Sequence, residues 1–524
     1  GVRGPIALRV TQDRKAPDEY VAVISQSGLG LPDRDYYLKD DARLADARRA
    51  YIEHAARIYA LAGQSNGRLR ANAVSVFERA LAEAQWSRVE SRDADRTYNP
   101  MSMEQLRAEA PGFDWAAWTG GMDADLSRVI VSQPSAVKAT AELVARTPLS
   151  TLRDYLLLRL LDASAPFLSA ELVQEDFAFN GTVLNGTPEN RERWQRGVAL
   201  VSGTMGEAVG EVYVERFFPP EAKAAADELV RNVIAAMDRR LEGLTWMAPA
   251  TKRAARAKLA AFTPKIGYPD TWRDYSALSI RRDDLVGNVM AARRFEFART
   301  LGRLGGPVDR SEWFMAPMTV NAYANPTMNE IVFPAAILQP PFFDPEADPA
   351  VNYGGIGAVI GHEISHHFDD QGRKYDPSGK LAEWWTPEDV ARFDSLAARL
   401  VAQYDAYEPL PEMHIQGKLT LGENIADLAG LTVAHDAYRR SLGGESPPVL
   451  EGLSGDARFY LGWAQIWRRS YREENLRQRL LTDPHSPSEQ RVAVVRNLDP
   501  WYAAFEPRPG DALYLPPAER VRIW

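Results

Sequence analysis

From about Asp40 to Gln85, apolar residues recur at three- and four-residue steps, Tyr51, Ala55, Ile58 and Tyr59 among them, which predicts two amphipathic helices. The same period returns over Ala136–Leu161, Arg191–Phe217 and Glu221–Met247, so the first half of the chain reads as mainly helical. Turn-forming breaks at Asn99–Pro100, Asn185–Pro188, Pro219–Pro220 and Gly267–Asp270 divide these stretches, with no repeat period or low-complexity tract. Around Trp313–Leu338 the period changes. Thr319–Ala322 and Glu330–Phe333 read as short strands flanking a turn built from Asn325, Pro326 and Asn329. A long helix follows through Gly354–Phe368, then irregular chain over Gly372–Trp385, then a helix from about Leu421 past Ala434. The expected fold class is mainly α with a small β component (α+β), with the candidate chemistry collected in the C-terminal third.

Composition sets the outer bounds. At 524 residues the chain exceeds the size at which one core keeps growing, so two or more lobes with a cleft are expected. The net charge of −9 has no basic block behind it, which argues against nucleic acid as a partner. There is no cysteine, which removes thiol catalysis, disulfides and thiolate metal ligands together, so any metal must be held by nitrogen and oxygen. No apolar run approaches 18 residues, so no membrane span is expected. The chain opens at Gly1 without a basic start or an apolar leader and reads as a mature or cut product.

The segment Gly361-His362-Glu363-Ile364-Ser365-His366 contains H-E-x-x-H on a predicted helix. Imidazoles at i and i+4 differ by about 40° around the axis and reach one ion from the same face. Glu363, about 100° round from His362, sits beside the metal rather than on it, where a carboxylate takes a proton from attacking water. A hydrolytic zinc site of this kind needs a third ligand, either glutamate or histidine. The offsets at which a third histidine and its preceding glycine would fall hold Gly372 and Asp369, which removes that form. Glu423 is the better candidate, because Glu423-Asn424-Ile425-Ala426-Asp427 puts two carboxylates on one helical face. Glu423 then binds the ion while Asp427 accepts the other ring N–H of a histidine ligand.

Five segments in order carry a resemblance: N-A-Y-A-N-P at Asn321–Pro326, I-V-F-P-A-A-I-L-Q-P-P-F-F at Ile331–Phe343, G-H-E-I-S-H-H-F-D at Gly361–Asp369, L-G-E-N-I-A-D at Leu421–Asp427, and D-P-H-S-P at Asp483–Pro487. Together with S-G-L-G-L-P-D-R-D-Y-Y at Ser27–Tyr37 and the terminal R-I-W, the chain resembles the neprilysin and endothelin-converting-enzyme family of zinc endopeptidases over nearly its whole length. The resemblance implies one zinc ion per chain on His362, His366 and Glu423, Glu363 as general base and Asp427 as the carboxylate behind a ligand. It further implies His485 as oxyanion donor, Arg491 as the grip on a substrate carbonyl, and Asn321 and Ala322 as the strand edge on which an extended peptide lies. Ile337, Phe342, Val359, Ile466 and Trp467 are implied as the pocket for a large apolar side chain just after the cut. His367, His54, His414 and His435 match no functional position and read as structural or exposed, while Asp369, Asp370 and Arg373 read as braces at the end of the zinc helix.

The architecture implied is a helical lid lobe and a thermolysin-like catalytic lobe. The expected boundaries are 1–50 as an N-terminal segment packing on the catalytic lobe, 51–282 as the lid, with 98–118 also on the catalytic lobe, and 283–524 as the metallopeptidase lobe. In such a family the lid admits short peptides and excludes folded proteins. The cysteine-free, Ala- and Arg-rich sequence resembles a bacterial member, with a periplasmic or secreted location expected from family habit. The family carries a further stretch upstream of the Ser27–Tyr37 segment, which implies a separate N-terminal fragment of the same precursor or its loss. The rival reading is a catalytically silent peptide-binding protein with a structural or empty zinc site, against which stands the retention of Glu363 and every ligand.

Overall fold

The structure is a computed structural model that describes residues 4–122, 124 and 126–524. Helices hold 56% of the chain and strands 9%, so the class is mainly α with a small β component. Two compact units divide the chain, each gathered from separate stretches.

One unit comprises Gly1–Thr204, Asp274–Val308 and Tyr471–Thr482. It is built on a four-stranded sheet that the hydrophobic pattern did not reveal: β1 (Ile6–Asp13), β2 (Ala16–Gln26), β3 (Pro100–Ser102) and β4 (Arg128–Val131), in the order β1-β2-β4-β3. The hairpin β1–β2 is antiparallel, β4 runs parallel to β2, and β3 is antiparallel to β4. One face packs Ala22, Ile24, Val129 and Val131 against Met103, Leu106, Trp115 and Val137, and the other buries Val21, Val23 and Ile130. Both faces of β2 are therefore covered, and its V-A-V-I run shows no polar alternation. The segments Ser27–Tyr37 and Tyr98–Trp118, expected on the catalytic lobe, belong to this unit.

The helices α1 (Ala42–Leu61) and α2 (Gly67–Ala84) are the expected pair, and α3 (Pro134–Arg146) and α4 (Leu149–Ser164) split the predicted 136–161 stretch at Pro148. Among α1, α2 and α4 lies a buried polar cluster. Glu78 accepts from the hydroxyls of Tyr37 (2.7 Å) and Tyr51 (3.0 Å), and Arg159 Nη2 donates to Tyr51 Oη at 2.9 Å. His54 sits between Asp162 at 3.3 Å and Glu175 at 3.0 Å. The predicted 191–217 helix also breaks, at Met205, into α5 (Arg193–Thr204) and α6 (Gly206–Phe217), and the two units divide at that break.

The second unit comprises Met205–Arg273, Asp309–Ser470 and Asp483–Trp524. It contains α6, α7 (Pro220–Gly243), α8 (Pro249–Ala260), α9 (Ala358–Ser365), α10 (Pro387–Asp405), α11 (Gly417–Ser441) and α12 (Gly455–Ile466). Helix α11 is buried along most of its length, the polar Thr420, Asn424, Asp427 and His435 included, and α7, α9 and α10 pack on it. The expected boundary at 282/283 therefore differs from the contact division. Residues 205–273 join the metal-helix unit because α7, which buries Leu229, Val230, Val233 and Met237, packs on α9 and α11, whereas 283–308 and 471–482 join the first unit.

The unit's sheet has the order β5-β7-β6, with β5 (Thr263–Gly267) parallel to β7 (Glu330–Pro334) and β6 (Tyr323–Asn325) antiparallel to it. The predicted strand at Thr319–Ala322 is displaced to Tyr323–Asn325, because the N–H groups of Thr319 and Asn321 bond back to Ala316 O and Thr319 O and curl that segment into turns. The turn after β6 ends at Asn329, whose φ of 49° is left-handed, where asparagine is tolerated. The predicted helix over Gly354–Phe368 is a π turn at Tyr353–Gly357 running into α9, which ends at Ser365 with His366 as its cap. Gly372 explains the stop: a Cβ there would lie 1.7 Å from His366 O, so the chain folds directly back on the helix end.

Candidate metal centre

Helices α9 and α11 cross backbone to backbone. A Cβ on Gly361 would lie 2.7 Å from Gly430 O, and one on Gly430 would lie 2.6 Å from Ala358 O and 2.7 Å from His362 N. Only glycine at both positions permits this approach, which sets the neighbouring His362 opposite the residues of α11.

His362, His366 and Glu423 each offer an atom to one point, the three atoms lying within 4.8 Å of one another. Glu423 Oε2 is 3.1 Å from His362 Nε2 and 3.5 Å from His366 Nε2, and the two Nε2 atoms are 2.9 Å apart. Both histidines use Nδ1 elsewhere: His362 Nδ1 is 2.8 Å from Asp427 Oδ1, and His366 Nδ1 is 2.9 Å from Asp369 Oδ2. Since a carboxylate only accepts, Nδ1 carries the proton in each ring and Nε2 presents a lone pair. Two lone pairs 2.9 Å apart, beside a buried Glu423 Oε2 that lacks a hydrogen-bond partner, form a donor set that a cation satisfies. Two imidazoles and one carboxylate match the ligand chemistry of zinc with a position left open.

Charge around the centre is arranged in layers. Burial alone would raise Asp427, but Arg491 and His362 hold it below the usual carboxylate range. Arg491 donates through Nε (2.8 Å) and Nη2 (2.6 Å) to the two oxygens of Asp427, and its guanidinium lies 3.9 Å from the centre of the Trp467 ring. Glu423 is held well below its ordinary value, where His366, His485 and His362 outweigh burial. Glu363 goes the other way: burial pushes its carboxyl up against the pull of His362 and His366. The motif thus holds a basic carboxylate beside an acidic ligand, set by environment alone.

His485 reaches the same point from the D-P-H-S-P loop. Its Nδ1 donates to Asp483 Oδ1 at 2.7 Å, and Nε2 stands 3.3 Å from Glu423 Oε2. The next residue pins the loop, Ser486 Oγ donating to Asn424 Oδ1 on α11 at 2.7 Å. Ile337 and Val359 are buried and Phe342, Ile466 and Trp467 half-buried. Phe342 and Ile466 both border Gly355, one turn before Val359, and Trp467 lies against Arg491. Asn321 is exposed and Ala322 buried at the entrance to β6, whose outer edge has no neighbouring strand among the described residues.

Two residues that the sequence reading left out of the site stand beside it. Asp369, read as a brace, orients His366 while its Oδ1 accepts from the N–H groups of Gln371 and Gly372. Its offset three residues after His366 was a readable signal. Asp483 orients His485, and its place two residues ahead is legible only once a role for His485 is granted. Of the other histidines, His367, His54 and His435 are buried and His414 is exposed.

Comparison with known proteins agrees with this chemistry. Two profiles described as Peptidase family M13 match residues 1–269 and 321–521. Neprilysin-3 of Drosophila melanogaster is 31% identical over 543 residues, spanning 98% of this chain and 68% of the relative. Human endothelin-converting enzyme 1 is 32% identical over 540 residues, spanning 99% of this chain and 69% of the relative. Among solved structures, zinc metalloprotease ZMP1 of Mycobacterium tuberculosis with an inhibitor superimposes with a TM-score of 0.97 at 48% identity, covering 100% of this chain and 81% of that one. PepO from Lactobacillus rhamnosis superimposes at 0.90 with 31% identity, covering 99% and 82%. A chain matched by these profiles over both halves, carrying a two-histidine, one-glutamate cluster on its H-E-x-x-H helix, belongs to peptidase family M13, whose relatives are zinc metalloendopeptidases.

Proposed function

We propose that the chain is a zinc endopeptidase that cuts short peptides on the amino side of large apolar residues. The observation that carries the reading is the convergence of His362, His366 and Glu423 within 4.8 Å, with the buried Glu363 adjacent in the motif. Zinc held there would polarise the scissile carbonyl and make water a stronger acid. Glu363, its carboxyl raised by burial, takes the proton from the attacking water and passes it to the departing amine. His485, fixed through Nδ1 by Asp483, directs Nε2 toward the oxyanion as its hydrogen-bond partner. The substrate lies extended along the open edge of β6 (Tyr323–Asn325), with Asn321 and Ala322 at its entrance, where main-chain groups bind a peptide whatever its side chains. Arg491 is held rigid by Asp427 and Trp467 and offers its remaining Nη1 to a substrate carbonyl. Ile337, Phe342, Val359, Ile466 and Trp467 provide the apolar surface for the side chain after the cut.

The test is hydrolysis of a peptide library by purified protein, with products identified by mass spectrometry, before and after chelation and zinc restoration. Cleavage before Phe, Leu or Ile that disappears on chelation and returns with zinc supports the reading. Zinc binding without cleavage would leave the silent binding protein as the better account, and cleavage after large apolar residues would remove the pocket assignment.

A further inference from the structure

Helix α8 contributes one side chain to the catalytic unit that no part of the chemistry above uses. Lys258 is completely buried, and among the described residues no carboxylate bonds it. Its Nζ donates instead to three backbone carbonyls, His367 O at 2.7 Å, Gly372 O at 2.8 Å and Tyr375 O at 2.7 Å. The rings of Phe368 and Trp384 lie 5.4 and 5.7 Å away. Three acceptors match the three N–H donors of an ammonium, whereas a neutral amine has two. Burial pushes Lys258 down to about 7, with Asp369 and Asp376 pulling it back up.

The three carbonyls belong to the loop that leaves the metal helix. Gly372 is bonded on both sides: its carbonyl accepts from Lys258, and its N–H donates to Asp369 Oδ1 at 2.7 Å. The other oxygen of Asp369 accepts from His366 Nδ1 at 2.9 Å. Gly372 is also pressed against His366 O, so the loop has little freedom to drift from the ligand. A continuous path of polar contacts thus runs from Lys258 through Gly372 and Asp369 to His366.

We propose that Lys258 is a positioning residue for the metal site, its ammonium gathering the 367–375 carbonyls so that Asp369 holds His366 at the angle the ion requires. The inference rests on the assignment of His362, His366 and Glu423 as ligands. A merely structural lysine would support the fold without coupling to Asp369. Orienting partners behind a metal ligand typically change affinity by about 10- to 100-fold, so the expected effect is of that size.

The experiment measures zinc affinity by chelator competition, and the visible spectrum of the cobalt-substituted protein, for wild type, Lys258→Met, Asp369→Asn and the double variant. Lys258→Gln, which keeps two donors, replaces Lys258→Met if the latter yields no folded protein. The expected result is weaker zinc binding by about 10- to 100-fold, a shifted cobalt spectrum, a fall in kcat larger than any change in KM, and little further loss when Asp369→Asn is added. Wild-type affinity and spectrum in a folded Lys258 variant, or losses that simply multiply in the double variant, would overturn the proposal. Failure of the wild type itself to bind zinc would instead remove the ligand assignment on which it rests.

Discussion

Substituting Gly430 by alanine tests whether the crossing of α9 and α11 sets the metal geometry. The added Cβ would lie 2.6 Å from Ala358 O, 2.7 Å from His362 N and 3.1 Å from His362 Cα. All three are backbone atoms of α9 or of its first ligand, so no rotamer change relieves them. Ordinary van der Waals contact begins at 3.4 Å, so the helices must part by about 0.8 Å. That displacement separates His362 and His366 from Glu423, whose carboxylate lies two helical turns along α11 and 3.1 Å from His362 Nε2. Metal–ligand bonds tolerate about 0.2 Å, so the loss falls on zinc affinity more than on folding. We expect zinc binding weakened by about 10- to 100-fold, kcat/KM lowered by about 100-fold, and destabilisation of about 1–3 kcal/mol. Gly197→Ala in α5 is the matched control, since a Cβ at that position meets nothing within 4 Å. Chelator competition, steady-state kinetics and urea unfolding on both variants provide the readout. Zinc affinity within about twofold of wild type in Gly430→Ala would refute the argument that this contact places the ligands.

Three further outcomes follow from the same geometry. Glu363→Gln should keep zinc content and lower kcat by about 10²- to 10⁴-fold, read by metal analysis and peptide hydrolysis; unchanged kcat would remove it as the base. Asp427→Ala leaves Arg491 buried without its counter-charge and His362 without its orienting acceptor. It should cost about 3–5 kcal/mol in urea unfolding of the metal-free protein, and a Arg491→Met partner variant should recover part of that loss. His54 is fully buried, and its hydrogen bonds with Asp162 and Glu175 outweigh burial to raise its pKa. A raised basic group contributes fully below its unfolded pKa of about 6.5 and loses that contribution as pH rises through the raised value. The destabilisation of His54→Gln should therefore be larger at pH 6 than at pH 9, and an equal or inverted difference in urea midpoints would contradict the pairing.

The helices of the first half were legible because they leave one face wet, whereas α9 and α11, buried nearly all round, were legible through their ligand spacing. The stripe of Tyr51, Ala55, Ile58 and Tyr59 is buried in α1, together with Leu44, Ala47 and His54, while positions such as Arg49, Glu53 and Arg57 on the other side meet water. Where burial covers both faces the period vanishes, which is why Val21–Ile24 of β2 escaped notice although it is the central pair-former of its sheet. The strand placed at Thr319–Ala322 failed for a different reason. Its composition suits a strand, but the N–H of Thr319 is captured by Ala316 O, a local bond that no alternation rule registers. The unit boundary was the least legible feature, because the helix α7 that joins the metal unit looks like any other amphipathic helix until its partners are known.

The site was legible to the extent that its chemistry is local. His362, Glu363 and His366 share one helical turn and a spacing with mechanical meaning, and Glu423 and Asp427 share another. What joins the two turns is not local. The glycine contact between α9 and α11 looks, in sequence, like two helix-weakening residues 69 positions apart. Lys258 is equally opaque: in a helix written A-A-R-A-K-L-A it reads as a solvated charge, yet it is the one lysine in that helix with no exposed surface. Both residues act on the metal site through backbone atoms, Gly430 by allowing approach and Lys258 by gathering carbonyls. Side-chain motifs therefore name the candidate ligands of this peptidase, while the positions of those side chains depend on residues whose partners are backbone and whose roles carry no motif.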